Sequence, residues 1–487
     1  MRRPFCDYCG TVGRLRPGAK NLLAVVGAAL LCAASPLALG LARADTLEGA
    51  LALAYQNNPT LNAQRAGTRA TDENVPQALA GYRPRVNITA SGGEQSLSTT
   101  TKSPTVNGGA VYSTSSGYNS PFSTGLTLTQ TLFNGFQTAN RTRQAEAQVL
   151  ASRATLANSV QTVLLNAATA YMNLLRDAAI LDLQRRNVEV LQEQLRQTRD
   201  RFNVGEVTRT DVAQSESSLA AGRSQVLTAQ ANFASSQATY RQVIGVNPGK
   251  LAAGTPVDRF SPKTLPGAVA TGIGTNPSVA AAQFNVDVAM RQVKVAEGAL
   301  LPNLSVQGSV QKSWLGVGVL STMESYNASV LGTLTVPVYQ GGAEYSLIRQ
   351  AKETLGQQRL NLDVSRDTVR QNVVQAWGQL QAAKANIEAT QAQVQAAEIA
   401  LNGIREEARV GQRTTFDVLT AQQTLVNARV AVVTAQHDRV VASYTLLAAV
   451  GRLSPDVLGL HVPVYRPQVH YEQVRDAWAG TRNPDGR

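Results

Sequence analysis

Apolar and polar residues alternate in two rhythms along this chain of 487 residues, and each rhythm occurs twice. The first has period two. Val86, Ile88 and Ala90 follow Pro84, and Leu126, Leu128 and Leu132 follow later, with Gln130 interrupting. Leu304, Val306 and Val310, then Val330, Leu334, Val336 and Val338, repeat the arrangement. Period two gives a strand one apolar face, so each set predicts one hairpin around a polar loop. The second rhythm is 4-3-4-3, as in Val160, Leu164, Ala167, Tyr171, Leu174, Ala178 and Leu181. It returns from Val369, Val373, Ala376 and Leu380 through Ala383, Ile387, Thr390, Val394, Ala397, Leu401 and Ile404 to Ala408. A seven-residue repeat predicts coiled-coil packing with left-handed supercoiling. No proline interrupts Phe136 to Asn203, which predicts ~100 Å of continuous helix. The alanine-rich seams let helices approach closely and predict several neighbours rather than one dimer partner.

The two halves are copies. Pro59 and Pro84 recur as Pro277 and Pro302 at an offset of 218. From "LFNGF" at Leu132, matched by "VYQGG" at Val338, the offset is 206. It stays there through Val204-Gly205 and Val410-Gly411. The twelve extra residues of the first copy therefore lie between Pro84 and Leu132. That interval holds the Ser/Thr/Gly/Asn-rich stretch from about Ser96 to Ser120, expected to be a long exposed loop. A first helix is expected from Thr46 to about Ala80, with its counterpart from about Ser278 to Gly298. "NVGE" and "RVGQ" end the long helices, as glycine usually does. Thr208 or Thr210, and Thr414 or Thr415, can cap the helices that return. The return helix from about Asp211 to Ile244 covers only half the outward length, and the first helix, stacked on its end, would supply the rest. The expected organisation is a signal segment at 1–44, a first repeat at 45–245, a linker at 246–276, a second repeat at 277–452 and a C-terminal segment at 453–487.

Charge and composition narrow the picture. Of the formal +12, a net +5 lies in the first 44 residues, leaving +7 spread thinly. No basic block marks a nucleic-acid footprint. Arg2, Arg3, Arg14, Arg16 and Lys20 precede an apolar run that ends in "ARA" at Ala42–Ala44, the pattern of a cleaved export signal. All three cysteines, Cys6, Cys9 and Cys32, fall inside it. Beyond it no stretch of about 18 apolar residues exists to span a membrane as a helix. Four apolar-faced strands are too few to close a barrel, which starts at about eight, and an open edge is not tolerated in lipid. Several copies must therefore share one wall. No nucleophile elbow, phosphate loop, metal cluster or paired carboxylates point to an enzyme, and no cofactor is implied. His437, His461 and His470 show no ligand spacing. A structural coiled coil that spans the envelope without transport is the rival reading. It explains the helices but not the alternating strands.

"RFNVGEVTRTDV", "TAYMNLL", "LPNLSVQGS" and "VYQGG" before "IRQA" resemble the TolC family of outer membrane factors, over Thr46 to about Leu453. The resemblance implies an α+β membrane protein: a homotrimer with a twelve-stranded β-barrel, four strands per protomer, continued by a long α-helical coiled-coil tunnel. A mixed α/β belt would map to the 246–276 linker and the chain after Arg452. The object would sit in the outer membrane, contact its lipid and extend into the periplasm. There an adaptor and an inner-membrane pump of the resistance-nodulation-division, ABC or major-facilitator type would serve it. Site roles follow by position. Asp417 matches the aspartate ring at the pore constriction. A ring of like charges attracts cations and raises the local carboxyl pKa, while the plainer reading is a first-turn aspartate favoured by the helix dipole. Arg413 matches the arginine that links the two hairpins in the closed state, and Thr210 and Asp211 match its partners. A solvated tip residue is the alternative for Arg413. Val204, Gly205, Val410 and Gly411 match the adaptor-docking tips and also serve as helix stops. Thr420 stands where a second aspartate is expected, and Ala408 where a tyrosine would make a second link. Tyr171 and Trp377, in equivalent positions, read as packing.

Overall fold

The computed structural model describes residues 46–106, 108–317 and 321–484. The expected signal segment and all three cysteines lie outside them. The first expected helix is three: α1 (Leu47–Asn57), α2 (Pro59–Asp72) and α3 (Asn74–Leu79). The break is written in Asn58-Pro59. Asn58 Oδ1 accepts the amides of Thr60 (3.0 Å) and Leu61 (3.2 Å), and Pro59 occupies the first turn, where its missing N–H costs nothing. Five strands follow the same order of copies: β1 (Arg85–Gly92), β2 (Gln95–Pro104) and β3 (Ala110–Asn134), then β4 (Asn303–Val317) and β5 (Ser321–Thr335). Between β3 and β4 run α4 (Gln137–Asn203), α5 (Arg209–Ile244), α6 (Leu265–Thr275) and α7 (Pro277–Gly298). After β5 come α8 (Ala343–Arg409), α9 (Thr415–Ala449), α10 (Pro455–Leu458) and α11 (Pro467–Val474).

α4 and α8 each hold 67 residues, ~100 Å of helix. Toward their C-terminal ends four helices lie side by side in the order α5–α4–α9–α8, and toward the sheet α4 is flanked by α1–α3 and by α7, which also packs on α8. α4 is therefore interior along its whole length, and α8 stands at an edge. The main core gathers Leu51, Ala54, Leu164, Ala168, Tyr171, Tyr240, Tyr444 and Leu447. A second stripe, Val369, Val373, Ala376, Leu380 and Ala383, is the α8 heptad seam against α9.

Two expectations are corrected here. The 246–276 linker contains α6, which stands before Asn276-Pro277 as α1 stands before Asn58-Pro59; Asn276 Oδ1 accepts the Ser278 amide at 2.9 Å. Among the described residues, that linker and the segment after Arg452 hold short helices and no strand, so no mixed α/β belt forms within one chain. Pro248, Pro256, Pro262 and Pro266 deny this linker the amides a ladder needs. It is anchored instead by Asp258, which takes Arg439 of α9 with both oxygens (Nη1 to Oδ1, 2.8 Å) and Lys384 of α8 at 3.2 Å.

The second correction is the Ser/Thr-rich stretch. It is not a loop: β2 pairs with β3 from Gln95↔Asn119 to Pro104↔Ala110. Threonine suits a strand, and facing hydroxyls bond across it, as Thr100 and Thr114 do at 2.9 Å. This two-stranded ribbon projects beyond β4, whose pairing ends at Asn119↔Val317. The twelve extra residues of the first copy lengthen this ribbon. β1 and β2 are one lane, broken at Gly93-Glu94 opposite Pro121, which has no amide to donate.

The segment after α10 returns as a strap over the N-terminal helices. The Tyr465 amide donates to Tyr55 Oη at 3.1 Å, and Arg65 lies over the rings of both Tyr55 (4.5 Å) and Tyr465 (5.4 Å). On α11, His470 Nδ1 meets the buried Asp72 Oδ2 at 3.0 Å. Arg83 then donates to Ala477 O at 2.8 Å and lies over Trp478.

Candidate functional site

Two surfaces carry the expected chemistry, the sheet and the helical tips. The sheet is an antiparallel meander in the lane order β1/β2–β3–β4–β5, with both outer lanes unpaired on one side within the chain. Its register separates the faces, with an ion pair, Lys312 to Glu324, on the otherwise apolar side beside Trp314. Val86, Leu128, Gly308 and Val330 share one row, and Ile88, Leu126, Val310 and Ala328 the next on the same face. The rows between them, on the opposite face, read Asn87–Thr127–Ser309–Ser329 and Thr89–Gly125–Gln311–Asn327. Serines bond across that polar face: Ser91 to Ser123 (2.8 Å), Ser309 to Ser329 (2.9 Å) and Ser313 to Ser325 (2.6 Å). The apolar face is bare: Ile88 is 79% exposed and Val330 81%. Phe122 and Trp314 close this apolar band, their rings 5.4 Å apart. Such a sheet suits lipid on one side and water on the other. Among the described residues, no helix is long and apolar enough to cross a membrane.

At the far end, each long helix stops on a glycine in the left-handed region, Gly205 (φ +80°) and Gly411 (φ +80°). Only glycine adopts this freely. The next amide closes the motif in both: Glu206 N to Arg201 O and Gln412 N to Glu407 O, 2.9 Å each. The return helices then start on identical capping boxes, which select Thr208 and Thr414 from the sequence candidates. Asp211 Oδ2 accepts the Thr208 amide (3.0 Å) and hydroxyl (2.7 Å), and Asp417 Oδ2 accepts the Thr414 amide (3.0 Å) and hydroxyl (2.9 Å). Each threonine hydroxyl accepts the aspartate amide in return, at 3.3 Å. Reciprocal caps of this kind satisfy two otherwise orphaned donors.

The two tips border one cleft of about 740 Å³. Arg413, Asp211, Thr208, Arg201, Glu206 and Ala408 line it. Arg413 is near Asp211 in this sense, but its hydrogen bond within the chain goes to Glu407 Oε2, from Nε at 2.8 Å. The first tip carries the same pairing with reversed signs: Arg201 Nη2 donates to Glu206 Oε1 at 2.7 Å. Glu407, which sequence reading did not single out, is thus the partner of Arg413. The available signal was a Glu and an Arg six apart around a glycine stop. Thr210 is exposed. The Asp417 carboxyl sits below the usual carboxylate range, because the Thr414 amide and then its hydroxyl donate to it, with help from Arg413. Within one chain the expected upward shift is thus reversed, since only a ring of copies brings like charges together. Val204 and Val410 are apolar, 78% and 71% exposed, and the space beside Gly205 and Gly411 is open.

The remaining sequence candidates are packing groups. Tyr171 is buried and donates from Oη to Ala252 O at 2.7 Å, and Trp377 lies half-buried against the second core. His437 contacts Asn173 and Asp438, both at 2.8 Å. Among the described residues, no group of three or more His, Cys, Asp or Glu could hold a metal.

The family model described as "Outer membrane efflux protein" matches residues 50–246 and 273–452. The chain is 41% identical to "Outer membrane efflux protein BepC" of Brucella suis biovar 1 (strain 1330), over 95% of this chain and 98% of that one. It is 28% identical to "Outer membrane protein TolC" of Escherichia coli (strain K12), over 88% and 86%. Its fold is similar to the crystal structure of the Campylobacter jejuni CmeC outer membrane channel, with a TM-score of 0.68, 18% identity, and coverage of 88% of this chain and 89% of that one.

Proposed function

The chain belongs to the outer membrane efflux protein family, and we propose that three copies of it form the exit duct of a tripartite efflux or type I secretion machine. It is an outer-membrane protein that extends into the periplasm, with the fold of the TolC-like channels. The observation that carries the proposal is the sheet. One apolar face, one hydroxyl-lined face and two open edges in the same chain require partners that complete the wall. Four lanes per copy make a twelve-stranded barrel from three copies, related by an axis that joins one edge to the next. The edge position of α8 supports the same closure for the helical tunnel.

Residues 45–245 and 277–452 act as two structural repeats. The equal lengths of α4 and α8, the paired Asn-Pro starts and the twin tips support this. The duct is passive. It is gated at the periplasmic tips, where Asp417 lines the constriction and Arg413 links to Thr210 and Asp211 across the cleft. A periplasmic adaptor seats its own hairpins on Val204, Gly205, Val410 and Gly411 and opens the gate. A resistance-nodulation-division, ABC or major-facilitator transporter in the inner membrane supplies the energy and chooses the cargo.

Native mass spectrometry in detergent and planar-bilayer recording test this together. Three copies and an aqueous conductance that rises in Arg413→Ala are expected. A lone particle that conducts nothing overturns the duct, and unchanged conductance in Arg413→Ala overturns the gate.

A further inference from the structure

Gly411 turns the chain so that Arg413 folds back onto the last turn of α8, where Glu407 waits. The contact uses only one nitrogen, Nε, at 2.8 Å from Glu407 Oε2. Among the described residues, the two terminal amino groups of Arg413 make no hydrogen bond. A guanidinium carries its donors in a rigid fork, so holding Nε fixes the plane and leaves the outer pair free. The first tip does the reverse. There Arg201 spends a terminal nitrogen, Nη2, on Glu206, which leaves it a poorer fork for anything else. Across the cleft, Asp211 gives Oδ2 to both donors of Thr208 and keeps Oδ1. Arg413, with its terminal nitrogens uncommitted, and Asp211, with Oδ1 uncommitted, thus line the same cleft.

We propose that Glu407 is a positioning residue of the gate: it holds Arg413 by Nε so that both terminal nitrogens face Thr210 and Asp211 when the tips close. The proposal rests on the gate reading above. An unheld arginine loses much rotamer freedom when it forms a link, and a side chain ordered beforehand loses less. The opposite role is a distinct outcome. If Glu407 instead drew Arg413 away from Asp211, its removal would tighten closure.

The test is single-channel recording of the intact protein in planar bilayers, for Arg413→Ala, Glu407→Ala, Glu407→Gln and the double variant Glu407→Ala/Arg413→Ala. Glu407 and Arg413 are both half-exposed, so these variants keep the fold, and helix content by circular dichroism checks that. Arg413→Ala is expected to raise conductance. Glu407→Ala is expected to act in the same direction by less, roughly a two- to fivefold shift in the open-to-closed ratio, the range of an exposed ion pair. Glu407→Gln, which keeps an acceptor for Nε, is expected to fall between wild type and Glu407→Ala. The double variant is expected to match Arg413→Ala alone, because Glu407 acts through Arg413. Additive effects, or a Glu407→Ala channel that is unchanged or tighter while Arg413→Ala is leaky, overturn the positioning role and leave the gate standing. An unchanged Arg413→Ala channel overturns both.

Discussion

α4 and α8 have the same length and the same heptad rhythm, yet they live in different surroundings. α4 has neighbours on both flanks, and its buried set includes polar Gln161, Asp177, Gln184, Asn187 and Thr198. α8 buries one stripe, while Leu360 (68% exposed), Val364 and Ile399 (74% exposed) have nothing over them. Periodicity reports how a helix meets its first partner, not how many partners it has. One chain holds two rods of equal length, and packing made one a beam and the other a border. The sheet repeats the lesson: β3 and β4 are flanked on both sides, and the outer lanes stop at bare edges.

The matched pair Leu174 and Leu380, both buried, isolates this difference. Leu174→Ala is expected to cost about 3–5 kcal/mol and Leu380→Ala about 2–3 kcal/mol, within the range for buried leucines. Heat-induced loss of helical circular dichroism in detergent measures both, and equal losses would dissolve the distinction between beam and border. A smaller effect is expected at the tie between α8, α9 and the linker. Burial pushes the Asp258 carboxyl up, but the hydrogen bonds from Arg439 and Lys384 outweigh it and hold it below the usual range. A depressed acid stabilises the fold above its unfolded pKa of about 3.9 and loses that contribution as pH falls through the folded value. Asp258→Asn is expected to cost about 2 kcal/mol at neutral pH, with the penalty shrinking as pH falls below about 3.9 and toward the depressed folded pKa, read as melting midpoints across that range. The smallest effect on the protomer fold is expected from Leu360→Ser, within about 0.5 kcal/mol. Its mark should appear in assembly instead, as a loss of SDS-resistant oligomer. An unaffected oligomer would mean that this face of α8 is not a seam.

Much of this was legible in the chain. Proline-free heptads bounded α4 and α8, and Gly205 and Gly411 marked both tips, because helix stops depend on local backbone chemistry. The offset change from 218 to 206 placed the twelve extra residues in the first hairpin, though their form was missed. Serine and threonine read as loop until a second strand stands opposite, and that pairing is not local. α6 was missed because the prolines and glycines of the linker masked a helix of eleven residues. Asp417 illustrates the other kind of gap. The residue stood out in the sequence, but the Thr414 donors that lower its pKa depend on which threonine caps the helix. Glu407 stayed hidden because an acidic residue on a solvated helix end looks like any other until the turn brings Arg413 onto it.

The strap has a consequence for how the molecule is made. Tyr465 reaches Tyr55 across 410 residues of sequence, and His470 reaches Asp72 across 398. A chain synthesised from its amino end holds α1 and α2 ready long before their cover exists, and closing so distant a contact is entropically slow. The buried Asp72 thus waits, wet and uncovered, until the carboxyl-terminal stretch arrives. Docking of that stretch is expected to be a late step in completing a protomer.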